Sequence, residues 1–297
     1  MSVSARQMLK RKTLGIGGFA VLAMAMACIP AMAQETMPTS DASPSQQPKG
    51  KAFKKPADAA AALYAAARRN DEAELMAILG PDAKEVVEWS NNPDERREQR
   101  AHFAEKYQQM HRLVKEPDST VAIYVGAENW PLPIPLVEYQ GAWYFDTDLG
   151  GQEIRYRRIG RNEMEALEVC RALIEAEKEY RADQHQYTAK FVSAANSHDG
   201  LYWPSGGKSP IGPYLAHAGA DATNAEPFHG YFYRVFLQGS DSFAVLAFPA
   251  DYRSSGVMTF YVNQDGAAQE KDLGDQTATL AKDANSPHPD SSWKPVE

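Results

Sequence analysis

The stretch Thr120–Asp146, TVAIYVGAENWPLPIPLVEYQGAWYFD, decides the fold. Before it, apolar residues recur at helical spacing. Within it they come in short β-type runs separated by turn formers. Thr120–Val125 reads as a strand, and Pro131-Leu132-Pro133 breaks the chain. Ile134–Tyr139 and Ala142–Phe145 flank Gln140-Gly141 as the two arms of a hairpin. Working back, Pro93 opens a long charged helix to about Lys115, with Phe103, Tyr107, Met110 and Leu113 on one face. A short turn, Ala83–Trp89, precedes it. Earlier still, Asn70-Asp71 caps a helix Glu72–Leu79 that Gly80-Pro81 stops, and Pro56 starts a helix Ala57–Arg69.

Working forward, the pattern repeats. Gly160 precedes and Asn162 caps a helix Glu163–Ala182, with Met164, Leu167, Cys170, Leu173, Ile174 and Tyr180 at helical spacing. Residues 198–226 are rich in Gly and Pro, so they form either a functional loop or a packed irregular segment. Three β-type runs follow, Gly230–Leu237, Ser242–Phe248 and Gly256–Val262, with a turn at Asn263–Gly266. A short helix at Asp275–Ala284 and a Pro-rich loop close the chain. The expected class is α+β. N-terminal helices with a small antiparallel meander (53–150) precede a long helix with an antiparallel sheet (151–297).

The first thirty-three residues carry a different message. Arg6, Lys10, Arg11 and Lys12 precede an apolar run, Leu14–Ile29. Pro30 breaks it, and Ala31-Met32-Ala33 supplies small residues for a signal peptidase. Residues 1–33 are therefore expected to be a secretory signal cleaved after Ala33. The alternative is a lipoprotein anchored through Cys28 in Ala25-Met26-Ala27-Cys28. The run is short for a membrane span, and no later segment is longer. Residues 34–52, rich in Pro, Ser, Gln and Lys, read as a disordered linker.

Cleavage removes four cations and no acid, moving the net charge from −8 to −12. Such a surface repels phosphate backbones and anionic lipids, which disfavours nucleic-acid and membrane-surface binding. Cleavage leaves Cys170 alone, so no intramolecular disulfide is available. Its apolar neighbours and the lack of an adjacent His or Lys mark it as a core thiol.

Three resemblances follow from particular stretches. Helices followed by a meander ending in Trp143-Tyr144-Phe145-Asp146 resemble the nuclear-transport-factor-two-like superfamily, which implies a small cone-shaped α+β domain. Gly230-Tyr231-Phe232-Tyr233, Ala247-Phe248-Pro249 and Gly256 through Phe260, Val262 and Gly266 resemble the heads of type IV pilins and pseudopilins. In those proteins the assembly helix directly follows the processing site, whereas here about two hundred residues intervene. The third resemblance spans the chain from about Phe53. It is carried by Ile134-Pro135-Leu136-Val137, Trp143–Thr147, Arg157–Glu163, Asp199–Pro204, Pro227–Tyr231 and Ser255–Phe260. These stretches resemble an uncharacterised secreted bacterial family, domain-of-unknown-function family 2950. The resemblance implies compartment and domain extent but no activity.

The densest polar and aromatic cluster joins Asp199, Tyr202 and Trp203 with His229 and Tyr231. Folded over the sheet, these residues could line a pocket for a sugar or peptide. The structural alternative is that they anchor the loop. Arg155, Arg157, Arg158 and Arg161 form a basic island. Arg157, Arg158 and Arg161 read as an interface locking the two halves through acidic partners, or as an anion site at a helix start at Asn162. Ser205–Ser209 lacks phosphate-loop spacing. No His-Glu-x-x-His, Cys/His metal spacing or Gly-x-Ser-x-Gly appears. His102 and His111 stand nine apart on the predicted charged helix, and Glu163, Glu165 and Glu168 read as a solvated face. No catalytic residue, metal or cofactor is expected.

The leading expectation is therefore a periplasmic or secreted, non-enzymatic module that binds an envelope protein or small ligand. The alternatives are a hydrolase with a site near His229 and Asp199, and a pilus- or secretion-associated subunit.

Overall fold

The computed structural model describes residues 48–87, 92–220, 224–282 and 289–296. The expected signal segment, Cys28 and most of the 34–52 linker lie outside them. Helices and two antiparallel sheets make the chain α+β. It divides into two compact units, with the division between Ile154 and Arg155.

In the first unit, α1 (Pro56–Arg68) is an alanine run opened by proline at its first turn. Alanine has the highest helix propensity, and its small side chain lets neighbours approach closely. Ala59, Ala60, Leu63, Ala66 and Ala67 form the buried face. Helix α2 (Glu72–Leu79) is capped by the Asp71 side chain, which accepts from the Glu74 N–H at 3.0 Å. Gly80 ends it at φ 91°, a left-handed conformation that glycine adopts without strain. A short α3 (Lys84–Val87) follows. Helix α4 (Pro93–Gln109) is capped by Asn92, accepting from the Asp94 N–H at 3.0 Å.

The sheet then runs β1 (His111–Lys115), β2 (Val121–Val125), β4 (Leu136–Tyr139), β5 (Ala142–Phe145), with the two-residue β3 (Trp130–Pro131) also on β2. Gln140 and Gly141 have φ of 51° and 78°, the two-residue turn that matches strand twist. Ile78, Ile123, Leu136 and Phe145 lie at the centre of the core. The helix expected to reach Lys115 ends at Gln109. His111 onward pairs with Val125 back to Val121, so strand pairing overrides the charged helical pattern. His102 and His111 therefore do not share an element.

Helix α5 (Thr147–Gln184) is continuous over 38 residues. The expected break at Gly160 and the cap at Asn162 are both corrected: Asn162 is a mid-helix residue. One interior glycine costs a helix only about 1 kcal/mol. Asn162 uses its side chain against Ser255 rather than against its own backbone, donating from Nδ2 to the Ser255 carbonyl at 2.7 Å. A helix-start anion site at Asn162 goes with that cap.

The second unit carries the sheet β10-β9-β8-β7-β6, every neighbour antiparallel and sequential. The strands are β6 (Tyr231–Leu237), β7 (Phe243–Pro249), β8 (Met258–Asn263), β9 (Ala268–Asp272) and β10 (Lys294–Pro295). Every residue of β7 is buried. Phe243, Val245 and Ala247 pack with Ala166, Cys170, Leu173 and Tyr180 of α5. Ala244, Leu246 and Phe248 pack with Tyr261 and Trp293 on the other face.

The Gly/Pro-rich region is, over its described part, a packed irregular segment. Leu201, Ile211, Leu215, Ala216 and Ala218 are buried, and a five-residue helix α6 (Pro213–His217) lies within it. Its end extends the β6 edge: the Tyr233 N–H donates to the Ala218 carbonyl, and the Ala220 N–H to the Tyr233 carbonyl. The short helix near the C-terminus is α7 (Thr277–Lys282). Among the described residues no helix is long and apolar enough to cross a membrane.

Candidate functional site

The five residues singled out in the second unit fall into two separate networks. Asp199, Tyr202 and Trp203 share one loop. A bond from the Lys190 ammonium and the Ala194 N–H at 2.9 Å hold the Asp199 carboxyl down to about 2. Trp203 donates from Nε1 to the Gly200 carbonyl at 2.8 Å and from its backbone to Ser209 Oγ at 2.9 Å. Its ring stacks on His198 with centroids 3.9 Å apart. Tyr202 is half-buried, its backbone bonded to Phe191 and Ser193.

His229 and Tyr231 belong to the turn that starts β6. Phe228 and Tyr231 exchange backbone bonds around His229 and Gly230, whose φ values are 52° and 76°. His229 Nδ1 lies 2.7 Å from Glu165 Oε2 on α5. Burial opposes ionisation of Glu165. The His229 bond and the charges of His229 and Arg161 outweigh it, holding the carboxyl below its usual range. Tyr231 is fully buried, donating from Oη to the Met258 carbonyl at 3.0 Å, and burial pushes its phenol upward. It packs in the core of the second unit. Among the described residues, the hydrogen bonds of Asp199 and of His229 go to different partners.

Arg158 and Glu163 are bonded to the segment that leads into β8. Arg158 donates from Nε to the Ser254 carbonyl at 3.2 Å. Glu163 Oε1 accepts from the Val257 and Met258 N–H groups at 2.9 and 3.0 Å. Arg161 faces the charge of Glu165, and Arg157 sits half-buried on α5. Cys170 is a free, buried thiol whose pKa burial pushes up. Glu177, also on α5, is fully buried. Its Oε2 accepts from the Thr188 N–H at 3.1 Å, while Oε1 has no partner. Burial raises its carboxyl to about 8, the Thr188 bond opposing.

The site that sequence reading missed lies in the first unit. A cavity of about 110 Å³ opens among α1, α2, α4 and the segment before β4. Leu63, Leu75, Leu79, Phe103 and Ile134 are among its apolar lining, and Arg96, Gln99 and Arg100 line it as well. Arg100 is only 9% exposed. Its Nη1 donates to Asn70 Oδ1 at 2.6 Å and its Nη2 to the Val87 carbonyl at 2.9 Å, with Glu72 Oε1 at 2.7 Å from Nη2. Arg96 Nε donates to the same Glu72 oxygen at 3.1 Å. The Arg100 bond, joined by that of Arg96 and the charges of both, outweighs burial and lowers the Glu72 carboxyl. The available signal was spacing: Arg96 and Arg100 continue, one and two turns back, the inner face that carries Phe103 and Tyr107. Among the described residues no cluster of three His, Cys, Asp or Glu could hold a metal ion.

A family model described as "Protein of unknown function (DUF2950)" matches residues 50–296. No curated protein and no solved structure matches the chain.

Proposed function

The chain belongs to the DUF2950 family, which transfers no activity to it, and we propose on its own geometry that it is an exported, non-enzymatic binding module holding a small apolar ligand in its first unit. The observation that carries this reading is the cavity of about 110 Å³ walled by Leu63, Leu75, Leu79, Phe103 and Ile134. Close packing normally leaves few voids larger than a water molecule. Apolar surface gathered in an open hollow of this kind gains free energy when a small apolar molecule covers it. Trp203, the other aromatic candidate, is occupied by His198, Gly200 and Ser209.

Export rests on the reading of residues 1–33: a basic start, an apolar run and small residues ending at Ala33. Periplasmic material should then begin at Gln34, and N-terminal sequencing that finds Met1 on the native protein refutes this part.

Binding is tested with benzene and with Ala67→Leu, which adds about three carbons to a buried cavity-lining side chain. Wild-type protein should bind benzene, detected by shifts in the methyl resonances of Leu63 and Leu75. The variant should lose that binding and gain about 2 kcal/mol, at roughly 0.8 kcal/mol per buried carbon. A wild type that ignores benzene, together with a destabilised variant, refutes the cavity reading.

A further inference from the structure

Independently of the cavity, we infer that β1 is a docking edge: it adds one extended strand of a partner protein, in which two acidic residues three positions apart bracket an apolar one.

The outer strand of a sheet presents a row of unpaired backbone groups, and native proteins cover or shorten such edges. The strand orders leave four outer strands, β1, β5, β6 and β10. Three are treated in that way. Phe53 and Trp143 exchange backbone bonds of 2.8 and 2.7 Å along β5, and Ala218 and Ala220 bond to Tyr233 along β6. Strand β10 is two residues long and ends on Pro295. Strand β1 is five residues long.

Its register decides which groups it presents. The Gly126 N–H donates to the Met110 carbonyl and the Glu116 N–H to the Thr120 carbonyl, both at 2.9 Å. The pairing between these two bonds is unbroken, and antiparallel bonding alternates, so Arg112 and Val114 bond toward β2. His111, Leu113 and Lys115 turn their N–H and C=O groups outward, where they meet no partner among the described residues.

The side chains specify the guest. Arg112 and Lys115 are exposed, and neither has an acidic partner among the described residues. Arg112 Nε donates to the neutral Asn129 Oδ1 at 2.7 Å, and its guanidinium lies 4.4 Å from the Tyr124 ring. The acids beyond the strand are engaged: Glu116 accepts from the Tyr124 hydroxyl at 3.1 Å, and Asp118 from the Thr120 N–H and hydroxyl at 3.0 and 2.8 Å. Successive side chains alternate between faces, so Arg112 and Lys115 flank an added strand on opposite faces. Opposite charges across a strand pair stabilise it and like charges destabilise it. Half-buried Leu113 stands between the two cations and meets the apolar residue. The same cations disfavour a second copy of β1, whose own Arg112 and Lys115 would come alongside. In strand addition the main-chain bonds supply affinity and the side chains select.

The test adds the peptide Thr-Glu-Thr-Val-Glu-Thr, blocked at both ends, to the intact chain at pH 7 and follows amide protons by NMR. The amide protons of His111, Leu113 and Lys115 should move downfield, and those of Arg112 and Val114 should move far less. A peptide with lysine in place of both glutamates should bind about tenfold more weakly. Lys115→Pro removes an outward N–H and no bond to β2, so it should abolish binding, whereas Lys115→Ala should weaken it and keep the same pattern of shifts. Outward amides that ignore the acidic peptide overturn the docking edge. Equal binding of the two peptides overturns the acidic guest. Undiminished binding by Lys115→Pro, shown folded by its β2 amide signals, overturns strand addition. Outward amides that shift with protein concentration alone identify a second copy and overturn the partner assignment. Should Lys115→Pro fail to fold, the two peptides on wild type still decide.

Discussion

Replacing Glu177 with glutamine should flatten part of the pH dependence of stability. The carboxyl is fully buried on α5, with one oxygen bonded to the Thr188 N–H and the other unpartnered. Burial raises its pKa from 4.5 to about 8. In the unfolded chain the group ionises near 4.5, whereas the native protein keeps the proton to about 8. Between these values the native state binds more protons, so stability falls as pH rises. The contribution is fully present below about 4.5, declines through the window and is flat above about 8. At about 1.4 kcal/mol per unit the whole window amounts to about 5 kcal/mol, and pH 5 to pH 7 to about 3 kcal/mol. Glutamine keeps an acceptor for Thr188 and has no proton to lose. Glu177→Gln should therefore match wild type near pH 5 and exceed it by about 3 kcal/mol at pH 7. Urea unfolding at pH 5, 6, 7 and 8, read at constant m, checks this. A variant that keeps the wild-type slope, or that is weaker at every pH, refutes the reasoning.

Two other outcomes follow from close contacts and burial. A Cβ at Gly256 would stand 2.1 Å from Tyr231 Oη, so Gly256→Ala should cost at least about 2 kcal/mol through overpacking, seen as a lower urea midpoint. Cys170, buried and with its thiol pKa pushed up, should stay unmodified by a thiol reagent in native protein and react fully in urea, measured by mass spectrometry.

Elements with local punctuation were legible. Gln140-Gly141 located the β4–β5 hairpin, and Asp71 and Pro93 marked two of the helix starts. What failed were rules that tertiary contacts override. Gly160 and Asn162 looked like a helix start, yet α5 runs through both, and the Asn162 side chain is spent on the Ser255 carbonyl rather than on a cap. Strand β9, Ala-Gln-Glu-Lys-Asp, has no apolar alternation, and its place is set by pairing with β8. In the aromatic cluster, Trp203 and Tyr231 donate their polar hydrogens to nearby carbonyls, which composition does not reveal. Arg100 and Glu177 were passed over because charged side chains on helices were assigned to solvent. Each occupies an inward position of its helix, one step along the register from recognised core residues.

Strand β7 has a bearing on the unfolded chain. Phe243-Ala-Val-Leu-Ala-Phe-Pro249 is seven residues without a charge, and folding hides all of them from water. Before the sheet closes, the same run is a ready nucleus for sticking between chains. Asp241 and Asp251 flank it as electrostatic fenders, and Pro249 spoils the last donor. Those three residues therefore oppose association through this run while the chain is unfolded, in addition to its overall acidity.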